Sequence, residues 1–355
     1  MKYKKPSITF IFNSFSAQPW GGAKIIFWYA NSLSAMGCKV TICFDCGETM
    51  SQRHIPKKLK HFLCRLAVAY EPRWYPLNKK VEKKCIFGVN NMNVPDADHV
   101  VATAVETALP VSKLASEKGK KHYLIQDFEV WNVSEEFVKK TFRLGMSNIV
   151  ISQWLKNLVE DECGIAPTLI RNPIDESIFY PSSIKRNDNE VAVLYHLGKH
   201  KGFADLWKAL CIVKEKYPEL KVNAFGSPSR PKWFPDWVEY TKNANPNQLR
   251  QIYSRSLVYA CATVKEGFGL TLAESMFCGC ALASTSFQGV REYADNNCAL
   301  LSPVGDYNKL ADNILKLLSD STSTSALAIR GREHAMNACS MKHALEKMRD
   351  EFDIH

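Results

Sequence analysis

The sequence has no apolar run long enough to cross a bilayer, and we therefore expect no transmembrane helix in it. Cys43 and Cys46 form a C-x-x-C pair without a second pair or a histidine cluster nearby, which argues against a zinc site. No recognised nucleic-acid-binding motif accompanies the basic residues. We therefore do not expect an integral membrane protein, a zinc protein or a nucleic-acid-binding protein.

What is present is an ordinary globular composition. The 355 residues are 46% hydrophobic and 23% charged, and this length suggests two domains. Twelve cysteines without a regular framework, several of them in apolar segments, predict a reducing, cytoplasmic location. The N-terminus has a basic start and a short apolar run but no small-residue cleavage site, so residues 7–13 are predicted to be the first strand.

The positive charge is concentrated in residues 53–84, where ten Lys and Arg face two Glu, so this segment contributes +8 of the formal net charge of +10. Apolar residues within it recur at helical spacing: Leu59, Phe62, Leu63, Leu66 and Tyr70. Cations populate the other faces: Lys57, Lys58, Lys60 and Arg65. Two interpretations stay open, a helix on an anionic membrane surface or a solvated basic face over a buried apolar stripe.

A glycine-bearing loop follows the apolar strand predicted at residues 257–264 and leads into a helix. Gly267 and Gly269 lack a Cβ, so the loop can bring its N–H groups close to a ligand. Thr271 is predicted to be the helix N-cap, and the unpaired N–H groups of the first turn would bind a phosphate. The predicted donor-binding backbone consists of Gly267, Phe268, Gly269, Leu270 and Thr271.

Two carboxylates bracket this loop, Glu266 before it and Glu274 one turn into the helix. Carboxylates accept hydrogen bonds from vicinal hydroxyls, so an anion with a sugar on each side, a nucleotide sugar, accounts for both. A capping box, in which Glu274 bonds back to the backbone of the N-cap, accounts for Glu274 equally well.

The segment 265–279 resembles the Glu-to-Glu signature of retaining glycosyltransferases of family 4, which have the two-domain GT-B fold. Other segments are similar to elements of the same family: Arg171-Asn172-Pro173-Ile174-Asp175, Gln288-Gly289-Val290-Arg291-Glu292 and Pro303-Val304-Gly305-Asp306. The resemblance implies that Glu266 contacts the transferred sugar and that Glu274 binds the nucleotide ribose. It also implies that Arg171 and Asn172 lie on the donor side.

The fold implied by the resemblance is α/β, with two Rossmann-like domains facing a central cleft. We expect an acceptor-side domain at residues 1–178, a nucleotide-sugar-binding domain at 179–339, and a C-terminal helix at 340–355 that packs back on the first domain. Helices are predicted at residues 153–163 and 203–216. Residues 182–190 are polar and turn-rich, as expected of a linker, and residues 227–247 are predicted to be a long surface segment beside the base pocket.

Two more glycine-bearing turns lie between a predicted strand and a helix. Gly21 and Gly22 precede a helix predicted at residues 23–36, where a structural tight turn and a phosphate-binding loop are equally good interpretations. Gly198-Lys199-His200-Lys201-Gly202 offers two lysines to a diphosphate. We expect Lys201, with Lys199 beside it, to stabilise the charge that develops on the leaving group.

The predicted strand at residues 122–126 delivers Gln126, Asp127 and Glu129 to the sheet edge where α/β proteins bind ligands. Many family members have a histidine where Gln126 stands. The Gln-Asp-Phe-Glu segment found here resembles that of the bacterial polysaccharide rhamnosyltransferases. This resemblance implies that Gln126 and Asp127 are catalytic residues. Helix capping is the alternative role of Glu129. Asp96-Ala97-Asp98 precedes a strand, so we predict an exposed turn there and no metal site.

The implied function is a retaining, metal-independent transfer of a hexose, with rhamnose as one option, from a nucleoside-diphosphate sugar to a growing polysaccharide or lipid-linked glycan. This activity belongs to O-antigen or capsule synthesis. We expect it in the cytoplasm, either free or peripheral on the cytoplasmic face of the inner membrane, with no cofactor and no nucleic-acid partner. Two alternatives stay open: a GT-B nucleotide-sugar epimerase, and a non-catalytic homologue that binds a glycan or a partner enzyme.

Overall fold

The computed structural model describes residues 5–15, 17–48 and 56–354, which form two compact units. Unit 1 comprises the described residues up to Ile170 together with those from Lys342 onward, and unit 2 spans Arg171–Met341. The corresponding predicted boundaries were 178/179 and 339/340. No helix formed by the described residues combines the length and the hydropathy needed to cross a membrane.

Unit 1 is a parallel sheet covered by helices. Its strands are β1 Ser7–Phe12, β2 Lys39–Asp45, β3 Glu82–Ile86, β4 His99–Ala102, β5 Lys120–Ile125, β6 Ser147–Val150 and β7 Thr168–Leu169. Among the residues described there, they pair in the order β3-β2-β1-β4-β5-β6-β7. The connecting helices are α1 Gly21–Ala35, α2 Lys57–Tyr70, α3 Val105–Ser112, α4 Glu135–Phe142 and α5 Gln153–Cys163. The central strands are apolar on both faces, as expected when helices cover both sides of a sheet.

Unit 2 repeats this architecture. Its strands are β8 Asn187–Leu194, β9 Lys221–Gly226, β10 Val238–Lys242, β11 Ser256–Cys261, β12 Ala281–Thr285 and β13 Leu300–Ser302. They pair in parallel in the order β10-β9-β8-β11-β12-β13. Its helices are α6 Phe203–Lys216, α7 Pro246–Arg255, α8 Leu270–Phe277, α9 Tyr307–Ser319 and α10 Ser321–Ala338. Counted from its own first strand, the sheet has the Rossmann order, and the order reverses between β8 and β11, where ligands bind in such sheets.

The C-terminal helix, α11 Met341–Glu351, contributes its side chains to unit 1, as the family resemblance implied. Glu351 accepts hydrogen bonds from Thr168 Oγ1 at 2.8 Å and pairs with His122 Nδ1 at 2.9 Å. The ring of Phe352 packs edge-on against Phe10 at a centroid distance of 6.4 Å. The carboxylate and the aromatic ring therefore fix this helix to the buried strands of unit 1.

The structure corrects three of the predicted segments. Helix α1 begins at Gly21, so the glycine pair forms the first helical residues and not a loop before the helix. Strand β8 begins at Asn187 inside the predicted linker, because Glu190 is buried there against Arg255. Residues 227–247 are not a surface segment throughout: Phe234 is buried in the core of unit 2, where it stacks on Trp207, and β10 follows it.

Candidate active site

The loops after β8 and β11 are locked together at the point where the strand order of unit 2 reverses. Lys199–Lys201 form one 3-10 turn, and Gly202 ends it with φ +64°. A Cβ at Gly202 would overlap the carbonyl oxygen of Ala262, so only glycine allows this approach. The backbone of Val264 also donates to the carbonyl oxygen of His200 at 2.8 Å. The lysine-bearing turn is therefore fixed against the loop that carries Glu266.

Lys201 and Glu266, the two residues predicted to act on the donor, form an ion pair in which the ammonium binds Oε1. They are separated by 65 positions in the sequence, and both side chains are partly exposed. An ammonium group has three N–H donors, so Lys201 can bind Glu266 and a phosphate oxygen at the same time. Lys199, the second predicted lysine, is exposed at the start of the turn.

Helix α8 starts one residue before Thr271, and the prediction of Thr271 as its N-cap is wrong. Gly269 occupies the cap with φ +92°, and the N–H groups of Leu272 and Ala273 bond to its carbonyl oxygen at 3.2 and 3.4 Å. A positive φ, which glycine adopts without a steric cost, turns the chain into the helix two residues earlier than a threonine cap would. The first-turn N–H groups, which have no acceptor within the helix, begin at Leu270.

Buried tyrosines contact two of the polar side chains of this helix, those of Thr271 and Glu274. Tyr259 Oη donates to Thr271 Oγ1 at 3.0 Å, and Tyr253 Oη lies 3.4 Å from Glu274 Oε2. The capping box between Thr271 and Glu274 is therefore not formed, and Glu274 is buried beneath the first turn. Burial raises the pKa of both tyrosines well above the ordinary value, so they act as O–H donors. Sequence reasoning missed them because a tyrosine in an apolar segment resembles an ordinary core residue.

The loop between Glu266 and Gly269 rests on the segment that follows β12. A Cβ at Gly289 would lie 2.6 Å from the carbonyl oxygen of Glu266 and 2.8 Å from the Cα of Phe268. Tyr293 Oη donates to the carbonyl oxygen of Gly269 at 2.7 Å. Gly267, Phe268 and Gly269 are buried. This close support holds the predicted anion-binding backbone in one conformation.

Arg171, predicted to lie on the donor side, pairs with Glu292 at 2.8 Å between Nε and Oε2. The Glu292 side chain is only 4% exposed, whereas that of Arg171 is 36% exposed. Asn172 is buried, and its Oδ1 has no hydrogen-bond partner among the residues that the structure describes. The pairing of Arg171 with Glu292 was not predicted from the sequence, although Glu292 belongs to one of the segments that resemble the family.

Two histidines flank Gly198 and were also missed. The N–H of Gly198 donates to His196 Nδ1 at 2.9 Å, and a Cβ at Gly198 would lie 2.6 Å from the ring of His200. Burial, followed by the charge of Lys201, lowers the pKa of both imidazoles. The lowered pKa favours the neutral form of both rings. The alternation of His, Gly and His directly after a buried strand is the signal that could have identified them.

In unit 1, the predicted residues lie at the carboxyl edge of its own sheet. A Cβ at Gly22 would lie 3.1 Å from Gln126 Nε2, so the start of α1 and the end of β5 meet there. Gln126 Oε1 is buried and has no hydrogen-bond partner within the described part of the chain. Asp127 Oδ1 accepts from the N–H of Phe128 at 2.8 Å. Gly21 is exposed at the first position of α1.

Glu129 caps helix α3, which confirms the structural alternative for this residue. Its Oε2 accepts from the N–H of Val105 at 2.6 Å, at the first residue of that helix. Burial raises the pKa of Glu129 to about 7 against the lowering effect of this bond, and the charges of Glu106 and Asp127 raise it further. A carboxyl group in this setting changes protonation near neutral pH.

The Asp96-Ala97-Asp98 motif forms an exposed turn before β4, as predicted. Asp96 pairs with Lys118 at 2.6 Å, and Asp98 Oδ2 accepts from the N–H and the hydroxyl of Ser7, both at 2.7 Å. Both carboxylates thus have structural partners. Within the described ranges, no group of three or more His, Cys, Asp and Glu side chains is arranged to hold a metal ion.

Part of this chain matches a known protein family. Residues 175–334, all in unit 2, match the family described as Glycosyl transferases group 1. Alpha-maltose-1-phosphate synthase of Mycolicibacterium smegmatis is 23% identical over 210 residues, which cover 50% of this chain and 54% of that protein. The aligned region thus spans about half the length of this curated relative.

Solved structures resemble the chain over almost its whole length. A mutant of S. aureus TarM, in complex with Fondaparinux, alpha-GlcNAc-glycerol and UDP, aligns with a TM-score of 0.76 at 9% identity, covering 98% of this chain and 100% of that one. Anabaena Alr3699/HepE, in complex with UDP and glucose, aligns with a TM-score of 0.72 at 15% identity, covering 98% of this chain and 99% of that one. These likenesses confirm the predicted GT-B fold class. Residues 175–334 therefore match the glycosyl transferases group 1 family, in a chain that has the GT-B fold.

Proposed function

We propose that this protein is a retaining glycosyltransferase of family 4 that moves a hexose from a nucleoside-diphosphate sugar to a glycan or lipid-linked acceptor. The observation that supports this most is the Lys201–Glu266 pair, fixed beside the loop that enters α8. The ammonium of Lys201 can bind a diphosphate, and the carboxylate of Glu266 can accept a hydrogen bond from a sugar hydroxyl. The N–H groups at the start of α8 can bind a phosphate.

In the proposed reaction, leaving-group stabilisation is the main chemical contribution. Lys201 and the N–H groups of the Gly267–Thr271 segment neutralise the negative charge that builds on the departing diphosphate. Glu266 accepts a hydrogen bond from the transferred sugar. We assign no covalent nucleophile, and we propose that the acceptor hydroxyl attacks on the face that the diphosphate leaves, with a donor phosphate oxygen taking its proton.

For Glu274, the proposed partner is the ribose of the nucleotide. Its carboxylate is buried and faces Tyr253 Oη, so a ribose hydroxyl would have to enter beneath the first turn of α8 and share or replace that bond. The TarM and HepE structures both contain UDP, which supports a nucleoside diphosphate as the leaving group here.

Rhamnose is the proposed sugar, and a bacterial cell-surface polysaccharide the proposed product. Both rest on the resemblance of Gln126-Asp127-Phe128-Glu129 to the corresponding segment of polysaccharide rhamnosyltransferases. Gln126 and Asp127 are the proposed acceptor-side groups. The unpaired Oε1 of Gln126 supports this role, because a buried amide oxygen without a donor is stabilised when a ligand hydroxyl supplies one.

The proposal is tested with a panel of nucleotide sugars, first ranked by the rise in melting temperature and then assayed for nucleoside diphosphate release with and without glycan acceptors. We expect release that the acceptor accelerates, and a product whose anomeric configuration, read by NMR, equals that of the donor. Inversion would contradict the retaining mechanism. Interconversion of the free nucleotide sugar would indicate an epimerase, and binding without either reaction would indicate a non-catalytic homologue.

We propose in addition that the transfer needs no divalent cation, because Lys201 and backbone N–H groups supply the positive charge at the leaving group. Activity should survive EDTA after the protein has been exchanged into metal-free buffer. Complete loss of activity that manganese restores would show that a metal supplies this charge.

A further inference from the structure

Helix α2 turns its apolar side away from the protein. Only Cys64 and Val68 are buried among its residues, whereas four large apolar side chains are exposed: Leu59 at 48%, Phe62 at 57%, Leu66 at 45% and Tyr70 at 71%. Their spacing places these four on one face, about 180° around the helix from the two buried residues. Of the two interpretations that the sequence left open, the buried stripe is wrong. We call these four residues the outer stripe.

A helix on the surface of a globular protein normally buries its apolar side, so the outer stripe requires an explanation. Exposed apolar patches that are bordered by polar groups mark surfaces that contact another partner or a membrane. The helix is anchored from its opposite side, since Lys60 Nζ donates to the carbonyl oxygen of Gly47 at 2.9 Å. Lys83 Nζ donates to Ala69 and Glu71 carbonyl oxygens at 2.6 and 2.7 Å, which ties the helix end to β3.

The charge around the outer stripe has one sign. Lys57, Lys58 and Arg65 are exposed, and Lys58 and Arg65, seven positions apart, lie along one border of the stripe. The sequence of α2 contains no Asp or Glu. An apolar face with an aromatic residue near its middle and cations at its border is the pattern of a helix that lies in a membrane interface.

A second copy of this chain is a poorer occupant. In a symmetric dimer the same patch meets itself, which would bring the cationic borders of the two helices close together. With no acid on α2, like charges would oppose that contact. An anionic lipid surface instead offers negative headgroups to Lys58 and Arg65 and an acyl boundary to the outer stripe.

We propose that α2 docks the protein on an anionic membrane surface, with Leu59, Phe62, Leu66 and Tyr70 in the headgroup and acyl boundary and Lys58 and Arg65 on the headgroups. This inference concerns where the protein works. Its test measures binding alone, so failure would leave the proposed reaction untouched.

The test is flotation of the purified full-length protein with phosphatidylglycerol-containing vesicles, compared with vesicles of phosphatidylcholine alone. We expect wild type to float with the anionic vesicles at low salt, to float less as salt screens the headgroup charge, and to stay unbound with phosphatidylcholine. Absence of flotation with anionic vesicles at low salt would overturn the proposal.

Two double variants separate the electrostatic contribution to membrane binding from the apolar contribution. Lys58→Glu/Arg65→Glu should lower the partition coefficient at least about 25-fold, since each cation near an anionic surface contributes a factor of about five. Phe62→Asp/Leu66→Asp should lower it more than about tenfold, because the apolar contact is lost. These positions point outward, so we expect the melting temperature to change little.

Matched controls change exposed residues of the same kind elsewhere. Lys113→Glu/Lys309→Glu alters the net charge equally, and Ile165→Asp/Ile329→Asp introduces the same acid at exposed apolar positions. We expect neither to match the loss seen with the α2 variants. Equal losses in control and α2 variants would overturn the proposal. So would a concentration-dependent dimer in sedimentation that Phe62→Asp/Leu66→Asp abolishes, because the outer stripe would then bind a second copy.

Discussion

The two sheets have related strand orders, yet their carboxyl edges carry opposite chemistry. In unit 2 the edge loops support one another: Gly202 packs on Ala262, Gly289 packs on Glu266, and Lys201 pairs with the Glu266 carboxylate. In unit 1 the edge holds Glu129, whose pKa is raised by burial and further by the charges of Glu106 and Asp127. Gln126 Oε1 adds an amide oxygen without a partner among the described residues.

The edge of unit 2 is organised before any ligand binds. Unit 2 holds its cation and its loop backbone in place by packing, so stabilising a leaving diphosphate there requires little rearrangement. Unit 1 offers mainly acceptor groups, which suit a hydroxyl-bearing molecule better than an anion.

Gly202→Ala should lower the free energy of unfolding by about 2–5 kcal/mol. The added methyl group would overlap the Ala262 carbonyl oxygen, and the alanine backbone would have to adopt a positive φ. Gly305→Ala is the matched control, since Gly305 has φ +84° but no atom within 4 Å of an added Cβ. It should cost only about 1–2 kcal/mol. Urea unfolding measures both. Equal losses would mean that the contact between the two loops does not organise this edge.

Lys201→Ala should lower kcat/KM by an amount equivalent to about 2–4 kcal/mol of transition-state stabilisation, the effect of removing one charge-stabilising donor. Lys201→Arg is not expected to rescue it, because a planar guanidinium cannot occupy the same position between Glu266 and a phosphate.

The companion variant Glu266→Gln should depress turnover more than nucleoside diphosphate affinity, because its proposed partner is the transferred sugar. Steady-state kinetics and calorimetry with the nucleoside diphosphate distinguish the two effects. Unchanged kcat/KM in both Lys201 variants would remove this turn from the proposed mechanism.

Arg171→Gln should lower the free energy of unfolding by about 1–3 kcal/mol, because it removes a charged hydrogen bond to the buried carboxylate of Glu292. Arg291→Gln is the control: Arg291 is exposed and bonds Ser286 Oγ at 3.1 Å, so its loss should cost under about 0.5 kcal/mol. Calorimetric unfolding gives both values. If Arg171→Gln weakens nucleotide binding without changing stability, its donor-side role outweighs its pairing with Glu292.

The smallest effect concerns Glu129 in unit 1. Its pKa is raised from an ordinary 4.5 to about 7, so between these values the folded protein binds more protons than the unfolded chain. The free energy of unfolding of wild type should therefore fall as the pH rises through this window. Glu129→Gln cannot ionise, and its stability relative to wild type should rise by about 1–2 kcal/mol between about pH 5 and about pH 8.

Melting curves of wild type and Glu129→Gln over this range measure the effect. Glu106→Gln serves as the second variant, because it removes a neighbouring charge and should shift the window to lower pH without abolishing it. Parallel pH profiles of wild type and Glu129→Gln would show that this carboxyl group is not buried in the way the structure indicates.

Sequence alone determined the features that depend on nearest neighbours along the chain. The helices at residues 153–163 and 203–216 were predicted with the bounds that the structure has, because their apolar periodicity and their flanking turn residues agree. The loop from Gly267 to Gly269 was predicted from its glycines between an apolar strand and a helix. The exposed turn at Asp96 and Asp98 followed from its position before a strand.

Tertiary structure decided everything that depends on which direction a face points and which distant residue it meets. Periodicity identified the apolar residues of α2, but their outward orientation follows from the packing of Cys64 and Val68 against the rest of unit 1. The Lys201–Glu266 pair arises because β8 and β11 are neighbours in the sheet, a relation that no local pattern encodes. The order of the strands depends on burial summed over the whole unit. That order decides which loops, far apart in the chain, come into contact.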